Sequence, residues 1–171
     1  MGFTMAYSGK YKVKNKKKYM GNVDSIVYRS LWERDTFKWC DEQSTVKKWC
    51  SEEVVVPYIW DVDGRYHRYF VDLLVEFTSG ETVLIEIKPK KETTPPKKGG
   101  RSTKSKAYLN ESFTYVKNQN KWEAAKKYAA KRDWKFQVWT EDTLTKMGIM
   151  KKKLKPLKPM RKPINKRKRK K

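Results

Sequence analysis

Both ends of this chain are basic without a single acid, and that confines any folded core to the stretch between them. Residues 151–171 carry 13 Lys/Arg and residues 1–20 carry six Lys, with no Asp or Glu in either; residues 21–150 hold 23 basic against 19 acidic residues. The formal charge of +23 over 171 residues is thus expected to divide into a basic N-terminal arm (1–20), a nearly balanced domain (21–150) and a Lys/Arg-rich tail (151–171). The tail, KKKLKPLKPMRKPINKRKRKK, repels itself, holds Pro156, Pro159 and Pro163, and buries almost nothing, so it is expected to be disordered alone. Its natural partner is a polyanion, because each phosphate neutralised releases counterions. Lys166, Arg167, Lys168 and Arg169 form its densest run and are candidate DNA contacts. A solubilising tail and a nuclear localisation signal are the competing readings of such a run.

Hydrophobic residues make up 37% of the chain, below the usual share of about 45–50%. Aromatics reach 13%, however, with seven Trp and ten Tyr, more than a disordered chain carries. The longest apolar run, residues 54–60, contains Pro57 and is far short of the roughly 20 residues that cross a bilayer, so no membrane association is expected. No signal-peptide core follows the N-terminus, and Ala6 stands where a myristoylation signal requires Ser or Thr. Cys40, Cys50 and the single His67 cannot assemble a Cys/His zinc site or a disulfide framework. The cysteines are expected to act as small hydrophobes, in a reducing, cytosolic compartment.

Within the middle domain, Asp24-Ser25 reads as a helix cap before a helix over residues 26–42. Ile26, Glu33, Phe37 and Cys40 then fall in one stripe, and a carboxylate in an apolar row either faces a polar cleft or pairs with Arg29 one turn earlier. A strand over 53–60, an Asp-Gly turn at 61–64, a strand over 66–77, a turn at Ser79-Gly80 and a strand over 82–88 follow. Residues 90–106, with Pro95-Pro96 and Gly99-Gly100, read as a mobile basic loop. A helix over 110–131, a strand over 135–140 and a short helix over 141–146 complete an αβββαβα order. This predicts an α/β fold, with a mixed sheet flanked by helices.

Two carboxylates sit badly in this scheme. Asp72 lies within a strand, where Asp is disfavoured, and Glu86 ends an otherwise buried Val-Leu-Ile run. On hairpin neighbours the two can face each other across the ladder, where they repel unless a cation separates them. That suits Mg²⁺, with Mn²⁺ as the alternative, held by Asp72, Glu86, a backbone carbonyl at Ile87 and waters. Lys88, on the face of Glu86, would orient an attacking water or offset phosphate charge, and Glu33 would complete the site. The competing reading is a set of edge-strand charges that block aggregation. Trp122, Trp134 and Trp139 are expected in the core, and the lone His67 in a structural role.

The order of elements, with Asp72, Glu86-Ile87-Lys88 and Glu33, resembles the PD-(D/E)xK, restriction-endonuclease-like nuclease fold; Val71 stands where the motif's Pro would be. Longer runs carry a closer resemblance, among them YSGKYKVKNKKKYMGNVDSIVYRSLWERDTFKWCD, HRYFVDLLVEF, TVLIEIKPK, TYVKNQNKW and FQVWTEDTL. Through them residues 7–150 resemble the head completion nucleases of tailed phages of the T-even type, which are similar to the transposon endonuclease subunit TnsA. The resemblance implies a metal-dependent DNA nuclease of virion assembly that acts on packaged DNA ends before tail attachment. DNA and the head, portal or neck proteins would be its partners, and the virion head–neck region and the host cytoplasm its places. Gln119 and Lys121 on the second long helix are candidate DNA contacts, as helix residues of this fold often are. A structural head-closure protein that keeps the nuclease fold without chemistry is the rival expectation.

Overall fold

The computed structural model describes residues 7–100 and 102–151. In chain order these form β1 (Gly9–Lys10), β2 (Val27–Tyr28), α1 (Leu31–Glu42), β3 (Val46–Ser51), β4 (Val55–Trp60), β5 (Arg65–Phe70), β6 (Leu73–Phe77), β7 (Thr82–Ile87), α2 (Lys106–Ala130), β8 (Lys135–Trp139) and α3 (Glu141–Lys146). The central sheet has the order β3-β6-β7-β8. Its first three strands are antiparallel neighbours, and β8 joins β7 in parallel after the crossover through α2. The result is the expected mixed four-stranded α/β sheet flanked by helices. Strand β7 is buried along nearly its whole length, as a central strand with both faces covered must be. No helix of the described residues is long and apolar enough to cross a membrane.

The first sheet strand is not the expected segment 53–60 but β3. Between Val46 and Lys48 its register against β6 shifts, and the bulge leaves Lys47 and Lys48 both exposed. Two outward residues in a row break the period-two pattern by which a strand is read. The segment 66–77 divides at Val71-Asp72. Residues before the break pair with β4 in a separate two-stranded hairpin, and those after it enter the central sheet between β3 and β7. The β4–β5 hairpin is therefore an insertion. Its buried side chains Val56, Tyr58 and Tyr69 lie on one face, and α2 packs along β4.

The first helix also starts later. Val27 and Tyr28 are extended and pair with Lys10 and Gly9, and the helix begins at Leu31 behind Ser30, not behind Asp24-Ser25. Ile26 is buried from outside the helix, while Phe37 and Cys40 are buried from within it. Residues 9–20, expected as an arm, are packed onto the domain. Along this segment Tyr11 and Val13 face inward and Lys10, Lys12 and Lys14 outward. The fully buried Asp41 accepts the backbone N–H groups of Lys14 (2.7 Å) and Asn15 (2.9 Å) and the Tyr11 hydroxyl (3.3 Å). Tyr11 and Tyr19 meet Trp49 edge-on, with ring centroids 6.0 and 4.8 Å away. Helix α2 begins at Lys106 behind Ser105, four residues before the expected start. Cys40, Cys50, Trp122 and Trp139 are buried, and Trp134 packs against the core.

Candidate active site

The ladder between β6 and β7 pairs Leu74 with Leu84 and Leu73 with Ile85. One step further along the same register stand Asp72 and Glu86, so the two carboxylates meet where the paired strands end. Asp72 Oδ2 accepts the Ile87 N–H at 2.7 Å, which ties it to the partner strand. Its Oδ1 makes no hydrogen bond among the described residues. Glu86 is 2% exposed, and its Oε1 lies 3.2 Å from Lys88 Nζ. The Lys88 backbone is held in line with β7 by its N–H donated to Trp139 O at 3.1 Å.

Burial, and then the charge of Glu86, push the Asp72 carboxyl well above the ordinary carboxylate range; the Lys88 ammonium and the Ile87 N–H pull the other way. Burial pulls Lys88 down, but the charges of Glu86 and Asp72 outweigh it and leave the ammonium more basic than an ordinary lysine. The Asp72 carboxyl thus resists ionisation beside Glu86, next to a lysine that keeps its proton.

Glu33 lies on the first turn of α1, and its charge is among those acting on Asp72. Its oxygens are engaged locally: Oε1 accepts the Ser30 hydroxyl at 2.9 Å, and Oε2 accepts the Arg29 N–H at 2.7 Å. The expected pairing with the Arg29 side chain is not made. That guanidinium instead grips Glu52, with Nε and Nη2 at 2.8 and 3.1 Å from the two carboxylate oxygens. Glu52 holds a positive φ of 55° and donates its N–H to Asp72 O at 3.4 Å, so this left-handed residue abuts the carboxylate pair.

The opposite wall belongs to α2 and the inserted hairpin. Lys121 Nζ stands over the Tyr69 ring at 5.1 Å, and burial lowers its pKa while the Glu86 charge raises it. Lys117, one turn earlier, stands over the Trp60 ring at 4.2 Å. Gln119 is two residues from Lys121, so it projects to another side of the helix, and no contact ties it to the carboxylates. His67 pairs with Asp63 at 2.8 Å on the hairpin, away from the acids. Lys166, Arg167, Lys168 and Arg169 lie outside the described residues. Sequence reasoning passed over Tyr69, whose hydroxyl donates to Glu86 Oε2 at 2.6 Å, and Lys117. Only the Tyr-Phe-Val-Asp spacing hints at Tyr69, and it acquires meaning once the chain changes sheets between Tyr69 and Asp72.

Among the described residues no three His, Cys, Asp or Glu side chains converge as a ready metal cage. The donor set nevertheless suits Mg²⁺, which keeps several waters and is usually bound through one or two carboxylates. Two acids that repel, one with an oxygen that no described donor claims, form an electrostatic hole into which a divalent cation would fit.

Residues 43–141 match the model of the TnsA-like endonuclease N-terminal family. The chain is also 44% identical over 147 residues to the head completion nuclease of Enterobacteria phage T4, covering 85% of this chain and 98% of that protein. Both matches span the strands that carry Asp72, Glu86 and Lys88. The chain belongs to the TnsA-like endonucleases of the PD-(D/E)xK superfamily, hydrolases of DNA phosphodiester bonds, and within them to the head completion nucleases.

Proposed function

We propose that this protein is a Mg²⁺-dependent DNA phosphodiesterase that acts on packaged DNA ends, in the head–neck region, before the tail is attached. The observation that carries the chemistry is the adjacency of Asp72 and Glu86 at the end of the β6–β7 ladder, with the Asp72 carboxyl destabilised as an anion. Asp72, Glu86 and the Ile87 carbonyl would hold the cation, with Mn²⁺ able to replace Mg²⁺. When bound, the ion supplies Lewis-acid polarisation of the scissile phosphate and activation of water.

The protein's own groups do the rest. Lys88 keeps its proton and donates to a phosphate oxygen or to the departing oxygen, offsetting charge where it develops. Lys121 contributes a second cation from the facing wall, and Glu33 supports the acidic side from α1. The lysine-rich tail, including Lys166, Arg167, Lys168 and Arg169, holds duplex DNA through phosphates, which position the substrate without reading its sequence. The relative's name places that protein at head completion, and the 98% coverage supports the same station for this chain, against proteins of the filled head or neck.

The deciding experiment is cleavage of linear and supercoiled DNA with and without Mg²⁺, for the wild type and Asp72→Asn. Cleavage that requires Mg²⁺ and is lost in Asp72→Asn is expected. Equal activity in the two proteins would overturn the assignment of Asp72.

A further inference from the structure

Tyr69 stands against the acidic pair, yet it belongs to no part of the (D/E)xK pattern. It arrives from β5, in the inserted hairpin, and not from the sheet that carries the acids. Its hydroxyl donates to Glu86 Oε2 at 2.6 Å, and both residues are only 2% exposed. That length is typical of a hydroxyl bonded to a carboxylate anion. A phenol keeps its proton near neutral pH, so Tyr69 is the donor of this bond.

The two oxygens of Glu86 are thereby made different. Oε2 is claimed by a rigid phenol, while Oε1 is shared only with the flexible Lys88 ammonium at 3.2 Å. The phenol is itself fixed. The Lys121 ammonium covers its ring, and the hairpin is fastened to α2 through Asn120 Nδ2 on Asp61 Oδ2 (2.7 Å) and the Asp61 N–H on Asn120 Oδ1 (3.1 Å).

We propose that Tyr69 is a positioning residue that holds Glu86 as a one-oxygen ligand, offering Oε1 alone to the cation, and so tunes the site for Mg²⁺ against Ca²⁺. The inference rests on Asp72 and Glu86 being the metal ligands. Its physical basis is the difference between the two ions. Mg²⁺ is small and demands near-ideal octahedral geometry, which a chelating carboxylate distorts; Ca²⁺ accepts six to eight oxygens and takes carboxylates through one or both of them. A Glu86 freed from the phenol can turn and chelate, an arrangement that penalises the smaller ion.

The test is calorimetric titration of Mg²⁺ and, separately, Ca²⁺ into the full chain, without DNA, for wild type, Tyr69→Phe, Tyr58→Phe and Asp72→Asn. Tyr58 is a second tyrosine on the same hairpin face, and its hydroxyl makes no hydrogen bond among the described residues, so its variant controls for removal of a phenol hydroxyl from the hairpin. Tyr69→Phe is expected to weaken Mg²⁺ binding by about 10–100-fold, the usual cost of losing a partner behind a metal ligand. Ca²⁺ binding should fall much less or rise, so the Mg²⁺-to-Ca²⁺ affinity ratio drops at least tenfold, while Tyr58→Phe keeps the wild-type ratio. An unchanged ratio in Tyr69→Phe overturns the inference. If that variant melts too low to titrate, the wild type decides alone: tenfold tighter binding of Ca²⁺ than of Mg²⁺ contradicts a one-oxygen Glu86. Wild-type metal affinity in Asp72→Asn would instead overturn the underlying ligand assignment, whatever Tyr69→Phe does.

Discussion

Two aspartates show how the same side chain is put to opposite ends. Asp41 is fully buried and saturated, with two backbone N–H groups and a tyrosine hydroxyl on its oxygens. Asp72 has one N–H and a neighbouring anion. Asp41→Ala strands the donors of the N-terminal segment and should cost roughly 3 kcal/mol in urea denaturation. It should leave cleavage per folded molecule near the wild-type level. Asp72→Asn should do the reverse, abolishing cleavage while raising the melting temperature at neutral pH. The sign follows from linkage: a carboxyl whose pKa is raised in the fold binds its proton more tightly there than in the unfolded chain, where 3.8 is the ordinary value. Stability of the wild type therefore falls as pH rises from that value through the raised one, and the advantage of Asn shrinks as the pH is lowered towards 3.8. A melting series across pH in metal-free buffer reads this directly. The cysteines give a simpler check: burial pushes both thiols up, Cys50 to about 12, so the native protein should resist thiol reagents that label it once unfolded.

At the scale of elements, the first helix shows what can and cannot be read from residues. Ser30-Leu31-Trp32-Glu33 is a capping-box pattern, and the structure uses it: Ser30 Oγ accepts the Glu33 N–H at 3.1 Å, and the Glu33 carboxylate reaches back over the turn. The earlier Asp24-Ser25 pair also looks like a cap, but β-branched Ile26 and Val27 prefer extended backbone; Val27 enters β2, and Ile26 just before it accepts the Tyr11 N–H. The meander and crossover were legible because Thr82–Ile87 and Lys135–Trp139 are strongly patterned. Strand β3 was not, since its bulge hides the alternation behind two lysines. Nor was the break at Val71-Asp72, where neither Gly nor Pro marks the change of sheet; only the misfit Asp signalled it. The carboxylates were visible as residues in the wrong place, whereas Tyr69 depends on how the hairpin folds back. Two substitutions separate cap from chemistry. Ser30→Ala should cost about 1 kcal/mol of stability. Glu33→Gln keeps a side chain able to serve in a capping box, so it should alter stability by less than roughly 0.5 kcal/mol. A loss of cleavage in Glu33→Gln, at unchanged melting temperature, would then belong to the site; unchanged cleavage would leave Glu33 as a cap alone.

For the whole molecule the charge has to be redistributed from the first reading. The six lysines of residues 1–20 are not a free arm: Lys14 and Lys18 bond to α1 and the residues after it, and the segment between them wraps Asp41. We propose residues 151–171, which hold 13 of the 23 excess charges, as the separable polycation. Phosphate contacts make the logarithm of the binding constant fall linearly with the logarithm of salt, with a slope of about −0.9 per phosphate neutralised on duplex DNA. If roughly half of the tail's cations engage at once, deleting residues 151–171 flattens that slope by about 5, while Lys88, Lys117 and Lys121 keep a residual dependence of their own. Metal affinity should be untouched, because the acids, Lys88 and Tyr69 all lie within residues 33–88. Binding isotherms on duplex DNA at several salt concentrations, with Mg²⁺ titrations of the same two proteins, test both halves together. A flattened slope with wild-type metal affinity means that a compact metal site is delivered to DNA by a detachable tether. Loss of metal affinity would instead make the tail part of the fold, and the division between tether and site would be wrong.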